Sequence, residues 1–112
     1  MIHLLWCTIR PEVFKQMHPY WIGRSTNSKS IKTHVAVNIE EHNSIIKEYF
    51  SNSNLENRII TVNTDKIGVC YPSYMLSSTT EGNKGDIVVF ASDDFIPPQN
   101  WDQYLFSKLE EK

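Results

Sequence analysis

Four short runs of β-forming residues, each followed by a segment of helical periodicity, limit what this chain can fold into more than any other feature. Leu4-Leu5-Trp6-Cys7-Thr8-Ile9 is a continuous apolar run stopped by Arg10-Pro11, and a run of that length between turn signals reads as a strand buried on both faces. Pro11 suits the first turn of a helix, and Val13, Phe14, Met17 and Trp21 behind it form an apolar stripe that lasts until Gly23 and the polar Ser25-Thr26-Asn27-Ser28. Thr33 to Val37 and Arg58 to Val62 read as the second and third strands. Between them a helix from Glu40 to Phe50 gathers Ile45, Ile46, Tyr49 and Phe50 on one side, and its acidic start suits the positive end of a helix dipole. A weakly patterned helix through Tyr74, Met75 and Leu76 is expected after Pro72. Asp86 to Ala91 is the strongest strand, and the final helix opens with Asn100 and Gln103 at capping-box spacing before Trp101, Tyr104, Leu105 and Leu109.

Strands that alternate with helices pair in parallel through right-handed crossovers. The expected class is therefore α/β, an open, mostly parallel four-stranded sheet with helices on both faces. Because the first strand is apolar on both faces it belongs inside, which gives the strand order 3-2-1-4. At 112 residues and 13.0 kDa there is material for one core, so residues 1–112 read as a single domain.

Eleven Lys and Arg against thirteen Asp and Glu leave a net charge of -2 with the basic residues scattered, which argues against nucleic-acid binding. No apolar run reaches the roughly 20 residues of a membrane helix, and the start of the chain lacks the basic leader of a secretory signal. Cys7 and Cys70 show no metal-type spacing and are too few to staple the domain, so free thiols and a cytoplasmic location are expected. His3, His18, His34 and His42 share no motif and read as structural or surface residues; Trp6, Trp21 and Trp101 read as core.

In an open α/β sheet the ligand crevice lies beyond the carboxyl ends of the strands, where the strand order reverses. The ends here are Thr8-Ile9-Arg10-Pro11, Val37-Asn38-Ile39-Glu40, Asn63-Thr64-Asp65-Lys66 and Ser92-Asp93-Asp94-Phe95. Two adjacent carboxylates after a buried strand repel each other unless solvated or bridged, and a divalent cation with oxygen ligands is the usual bridge. Taken alone, Asp93-Asp94 also suits a solvated turn, Asn63 and Asp65 suit a plain turn, and Arg10 is as well placed for a surface ion pair as for a diphosphate.

The segment from Gly85 to Trp101, a β strand running into Ser92-Asp93-Asp94 and then Pro97, resembles the metal-binding DxD segment of family 2 glycosyltransferases of the GT-A fold. Thr8-Ile9-Arg10-Pro11 is similar to that family's P-T-x-x-R-P turn, and Val37-Asn38 stands where the family has V-D against the base. The resemblance implies a Rossmann-like nucleotide-binding half that takes a nucleotide-sugar donor with Mn²⁺ or Mg²⁺. It implies Asp94 as the metal ligand, and Thr8, Arg10, Asn38 and Asp93 as nucleotide contacts. Ser92 replaces the first acidic residue of the cluster, Asn38 replaces Asp, and the family's A-R-N segment has no match, which leaves Lys66 as a substitute on position alone.

Family members continue into an acceptor-binding half that carries the catalytic base. A chain of this length is thus expected to be truncated relative to a full transferase, with the acceptor site supplied by a separate domain partner or through a homo-oligomer. Two functions follow: a nucleotide-sugar-binding half of a glycosyltransferase, or a non-catalytic nucleotide-binding or protein-interaction domain on the same fold. No G-x-G-x-x-G or G-x-x-x-x-G-K-[ST] supports a dinucleotide or P-loop site, and a receiver domain would carry its acidic pair near the first strand.

Overall fold

The computed structural model describes residues 1–62, 70–94 and 96–110, the side chains of residues 70–74 and 109–110 excepted. The elements run β1 (Ile2–Cys7), α1 (Pro11–Gly23), β2 (Ile31–Val37), α2 (Glu40–Ser51), β3 (Glu56–Thr61), α3 (Cys70–Thr79), β4 (Ile87–Ala91) and α4 (Trp101–Glu110), with a short 3₁₀ turn at Ser28–Ser30. The four strands form one parallel sheet in the order β3-β2-β1-β4. This is the expected architecture and the expected order.

β1 is central because both of its faces are apolar, and its side chains alternate between two cores. Ile2, Leu4 and Trp6 pack with Val35, Val37, Phe14, Trp21, Ile46, Phe50 and Trp101 on the face covered by α1, α2 and α4. Leu5 packs with Ala36, Val62 and Leu76 on the face covered by α3. The three tryptophans are buried as the sequence implies, Trp6 edge-on to Phe14 at 4.9 Å and Trp21 to Trp101 at 5.2 Å.

Strand boundaries differ from the sequence reading at both ends of β1. The strand starts at Ile2, which pairs with Ile31 and Ile87, because polar His3 is accommodated by buried partners. It stops at Cys7 because the hydroxyl of Thr8 turns the chain. Cys7 itself is half-buried, packed against the second core. β3 likewise runs Glu56–Thr61 rather than from Arg58 to Val62.

Two polar devices lie inside the first core. His18 is fully buried between the Tyr49 hydroxyl, 2.7 Å from Nδ1, and the Thr33 hydroxyl, 3.0 Å from Nε2. Burial pushes the imidazole down to about 3 and the Tyr49 phenol up to about 12. The second device joins α4 to the end of α1: the Asp102 carboxylate accepts the amides of Thr26 (2.7 Å) and Asn27 (3.0 Å), and Trp101 Nε1 donates to the Trp21 carbonyl at 2.7 Å. Asn100 has a positive φ of 59°, and its carboxamide oxygen accepts from the Thr26 hydroxyl at 3.1 Å. The Asn100/Gln103 pair thus serves this tertiary junction, Gln103 Oε1 facing the same hydroxyl at 3.4 Å, and not the reciprocal box its spacing suggests. Among the described residues no helix is long and apolar enough to cross a membrane.

Candidate nucleotide and metal site

From β1 the chain moves through α1 to β2 on one side, and β4 adds on the other side, so the strand order reverses between β1 and β4. Side chains beyond the carboxyl ends of these two strands therefore border the crevice in which open α/β sheets bind ligands. Four of the residues singled out from the sequence meet there. The Thr8 amide donates to the Ala36 carbonyl at 3.0 Å, which extends the β1–β2 ladder by one rung. Its hydroxyl accepts the Arg10 amide (3.0 Å) and donates to Asp93 Oδ2 (2.8 Å).

Asp93 and Asp94 face opposite ways. Asp93 is turned inward, its side chain 8% exposed, and its Oδ1 accepts the indole N–H of Trp6 at 2.7 Å. Asp94 is 80% exposed, and its amide donates to Ser92 Oγ at 3.1 Å, so Ser92 holds the turn. The Arg10 guanidinium lies beside both, with Nη2 3.3 Å from Asp94 Oδ1 and 3.9 Å from Asp93 Oδ2. The separation of the two carboxylates and the guanidinium beside them remove most of the repulsion that the bare Asp-Asp sequence suggests. One guanidinium and two carboxylates still leave the network one negative charge.

Asn38 follows β2 on the same rim, where its Oδ1 lies 3.1 Å from Nδ1 of His42 in the first turn of α2. Next along, Asn43 Nδ2 donates to the Thr61 hydroxyl at 2.8 Å, and that hydroxyl faces Glu40 Oε1 at 3.4 Å. Thr8, Arg10, Asp93 and Asp94 thus share one network, while Asn38 stands beside it with His42 as its partner. Lys66, with Asn63 and Asp65, lies outside the described residues.

Two contributors were not singled out from the sequence as site residues: Trp6, the donor to Asp93, and His42, the partner of Asn38. A signal for Trp6 exists, because residues 6 and 8 of an extended strand point to one face and can reach one acceptor. His42 is four residues after Asn38, one helical turn, but an i, i+4 relation across a helix start is too common to single it out.

Among the described residues there is no cluster of three or more His, Cys, Asp or Glu that could hold a metal ion. A hard cation of the Mg²⁺ type does not require one, since it binds through one or two carboxylates together with substrate phosphates and water. The single exposed carboxylate of Asp94, next to an inward Asp93, fits a cation that arrives with a phosphorylated ligand.

No protein-family model matches the chain, and no curated protein matches it in sequence. Among solved structures, residues 1–349 of S. aureus TarS, a family 2 glycosyltransferase, superpose with a TM-score of 0.72 over 98% of this chain at 15% identity. The fold is the GT-A-like α/β fold of that protein. This chain spans 32% of the length of the TarS chain.

Proposed function

We propose that the rim above β1 and β4 binds the diphosphate of a nucleotide-sugar donor, with Mn²⁺ or Mg²⁺ carried on Asp94. The observation that carries this reading is the convergence of Arg10, Asp93 and Asp94 at the reversal of strand order, on a sheet with the fold of a glycosyltransferase. In this account Arg10 turns from Asp94 to the phosphate oxygens, its planar fork suited to them. Thr8 and Trp6 keep Asp93 fixed, and Asp93 in turn fixes the end of β4 from which Asp94 projects. With its oxygen facing His42, Asn38 offers its amide hydrogens to the nucleoside, and Lys66 is a further nucleotide contact. When bound, a divalent cation would neutralise the charge of a diphosphate leaving group.

Donor binding is the part of transfer these residues explain. A general base for transfer must lie within hydrogen-bond reach of an acceptor hydroxyl. Asp102, the next carboxylate after Asp94, is instead committed to the Thr26 and Asn27 amides. A nucleotide-binding domain without transfer is the second reading; in the first, the general base and the acceptor surface come from other residues, whether of an acceptor-domain partner or of a second copy.

Titration calorimetry with a panel of nucleoside diphosphates and their sugars, with and without Mn²⁺, tests the proposal. The expected result is binding of at least one diphosphate with Mn²⁺ and its loss without the metal, because the network keeps a net negative charge. Binding by no diphosphate, or equal binding with and without metal, would overturn it.

A further inference from the structure

The face of the sheet under α3 carries a row of polar side chains that donor binding does not use. Arg58 on β3 donates from Nε to Nδ1 of His34 at 2.9 Å. His34 Nε2 lies 2.9 Å from His3 Nδ1, and His3 Nε2 lies 2.9 Å from Asp86 Oδ2. His3 and His34 are both nearly inaccessible, at 3% and 1% exposure. The row crosses β3, β2 and β1 and ends at Asp86, which immediately precedes β4.

The direction of every bond in the row is forced. A guanidinium Nε–H can only donate, so His34 Nδ1 must accept, which places the proton of neutral His34 on Nε2. That N–H donates to His3 Nδ1, which therefore carries no proton, and His3 Nε2–H donates to the carboxylate. The sequence Arg58 to His34 to His3 to Asp86 is a one-way relay with no spare acceptor inside it.

The same guanidinium holds the end of α3. Nη1 donates to the Thr79 hydroxyl at 2.8 Å, and Nη2 donates to the Leu76 carbonyl at 3.3 Å and the Thr80 hydroxyl at 3.0 Å. The helix needs this anchor, because Ser77, Ser78 and Thr79 in its last turn are poor helix formers. Leu76 is its fully buried contact with the sheet.

We propose that this relay is a proton-sensitive latch: uptake of one proton by the His3–His34 pair breaks the link to Arg58 and releases the carboxyl-terminal end of α3 from the sheet. If the extra proton sits on His3 Nδ1, His34 must accept at Nε2 and carry its own proton on Nδ1, where it meets Arg58 Nε–H. If it sits on His34 Nδ1, the same two donors meet directly. Either way one proton sets His34 Nδ1–H against Arg58 Nε–H, two donors face to face, with the new charge on His34 or one ring further on His3; the guanidinium then turns away from the pair and gives up its bonds to Thr79, Leu76 and Thr80.

The groups facing the pair sharpen the response. Burial first, then Arg58 from β3, His3 from β1 and Lys32 from β2, oppose protonation of His34 and hold it down to about 4. Asp86 stands at the other end. The amide of Asn83, the hydrogen bond from His3 and the amino group of Met1 keep it ionised and well below the usual carboxylate range. The charge of Glu81 favours the charged form of Arg58, and the guanidinium meets the Leu76 carbonyl and the Thr79 hydroxyl of α3 and, just past the helix, the Thr80 hydroxyl. The relay is thus neutral in the middle and charged at both ends.

Amide hydrogen exchange from about pH 7.5 to about pH 4.5, corrected for intrinsic rates, tests the latch. In the wild-type chain the amides at the end of α3 should lose about tenfold in protection relative to those of α1 and α2 as the pH falls. His3→Gln with His34→Gln keeps each donor and acceptor in the same direction without a titrating group, and should make the α3 protection flat over that range. Exchange at α3 that follows α1 and α2, or an undiminished pH response in the double variant, would overturn the proposal. Should the double variant not fold, ¹⁵N spectra of wild-type His34 at neutral pH decide: a proton on Nε2 supports the relay and a proton on Nδ1 refutes it.

Discussion

Asp93 and Asp94 are neighbours in sequence and opposites in environment, and the difference is made by partners 85 or more residues away. Trp6 and Thr8 draw Asp93 inward, so its burial depends on two donors from β1. Trp6→Phe keeps a ring in the core and removes one donor to a buried carboxylate; it should cost about 1.5–3 kcal/mol in urea unfolding. Asp94→Asn alters only an exposed ion pair and should stay within about 0.5 kcal/mol of wild type in the same assay. A smaller loss for Trp6→Phe than for Asp94→Asn would mean that the indole bond does not hold the carboxylate. At this scale the sequence made Thr8, Arg10 and Asp94 legible, because strand-end polar residues stand out against apolar runs. It did not distinguish the two carboxylates. A tryptophan in a buried strand reads as packing; its place on the same face as Thr8 says that the two can share an acceptor, but not that the acceptor is Asp93, beyond the end of β4.

The elements form where the apolar pattern puts them, except that α3, expected after Pro72, begins at Cys70, and the remaining exceptions have causes that can be named. α1 keeps its course through Pro19, an exposed residue inside the helix that leaves the Lys15 carbonyl without its helical donor. The buried stripe of Phe14, His18 and Trp21 outweighs that loss. Pro19→Ala should therefore stabilise the fold by about 1–2 kcal/mol, the helix gain less the added freedom of the unfolded chain, measured as a higher thermal midpoint. A lower midpoint would show that the ring of Pro19 contributes packing. The start of α4 was the least legible element boundary. Asn100 and Gln103 have the spacing of a local cap, but their carboxamides and the Asp102 carboxylate serve the turn after α1, some 75 residues back. Spacing within a segment carries no information about a partner from another segment. The central position of β1, by contrast, was written in its own two apolar faces.

For the molecule as a whole, two of the buried imidazoles, His18 and His34, contribute to the response to acid. His18 at about 3 and His34 at about 4 are neutral when folded and take up protons near 6.5 when unfolded. The stabilisation they bring is complete above the unfolded value and is lost as the pH falls from about 6.5 toward 4 for His34 and toward 3 for His18. The unfolding free energy should drop by up to about 1.4 kcal/mol per pH unit for His18 alone, and His18→Gln should flatten that slope; an unchanged slope would contradict a neutral buried His18. The parallel order β3-β2-β1-β4 also places Asp94 and Asp86 at opposite ends of β4. Paramagnetic broadening by Mn²⁺ in the presence of a nucleoside diphosphate tests the binding account most directly. Selective loss of the amide signals of Thr8, Arg10 and Asp94 is expected, with Asp86 and the end of α3 spared and no selective loss in Asp94→Asn. Broadening centred away from the rim of β1 and β4, or unchanged in the variant, would contradict it.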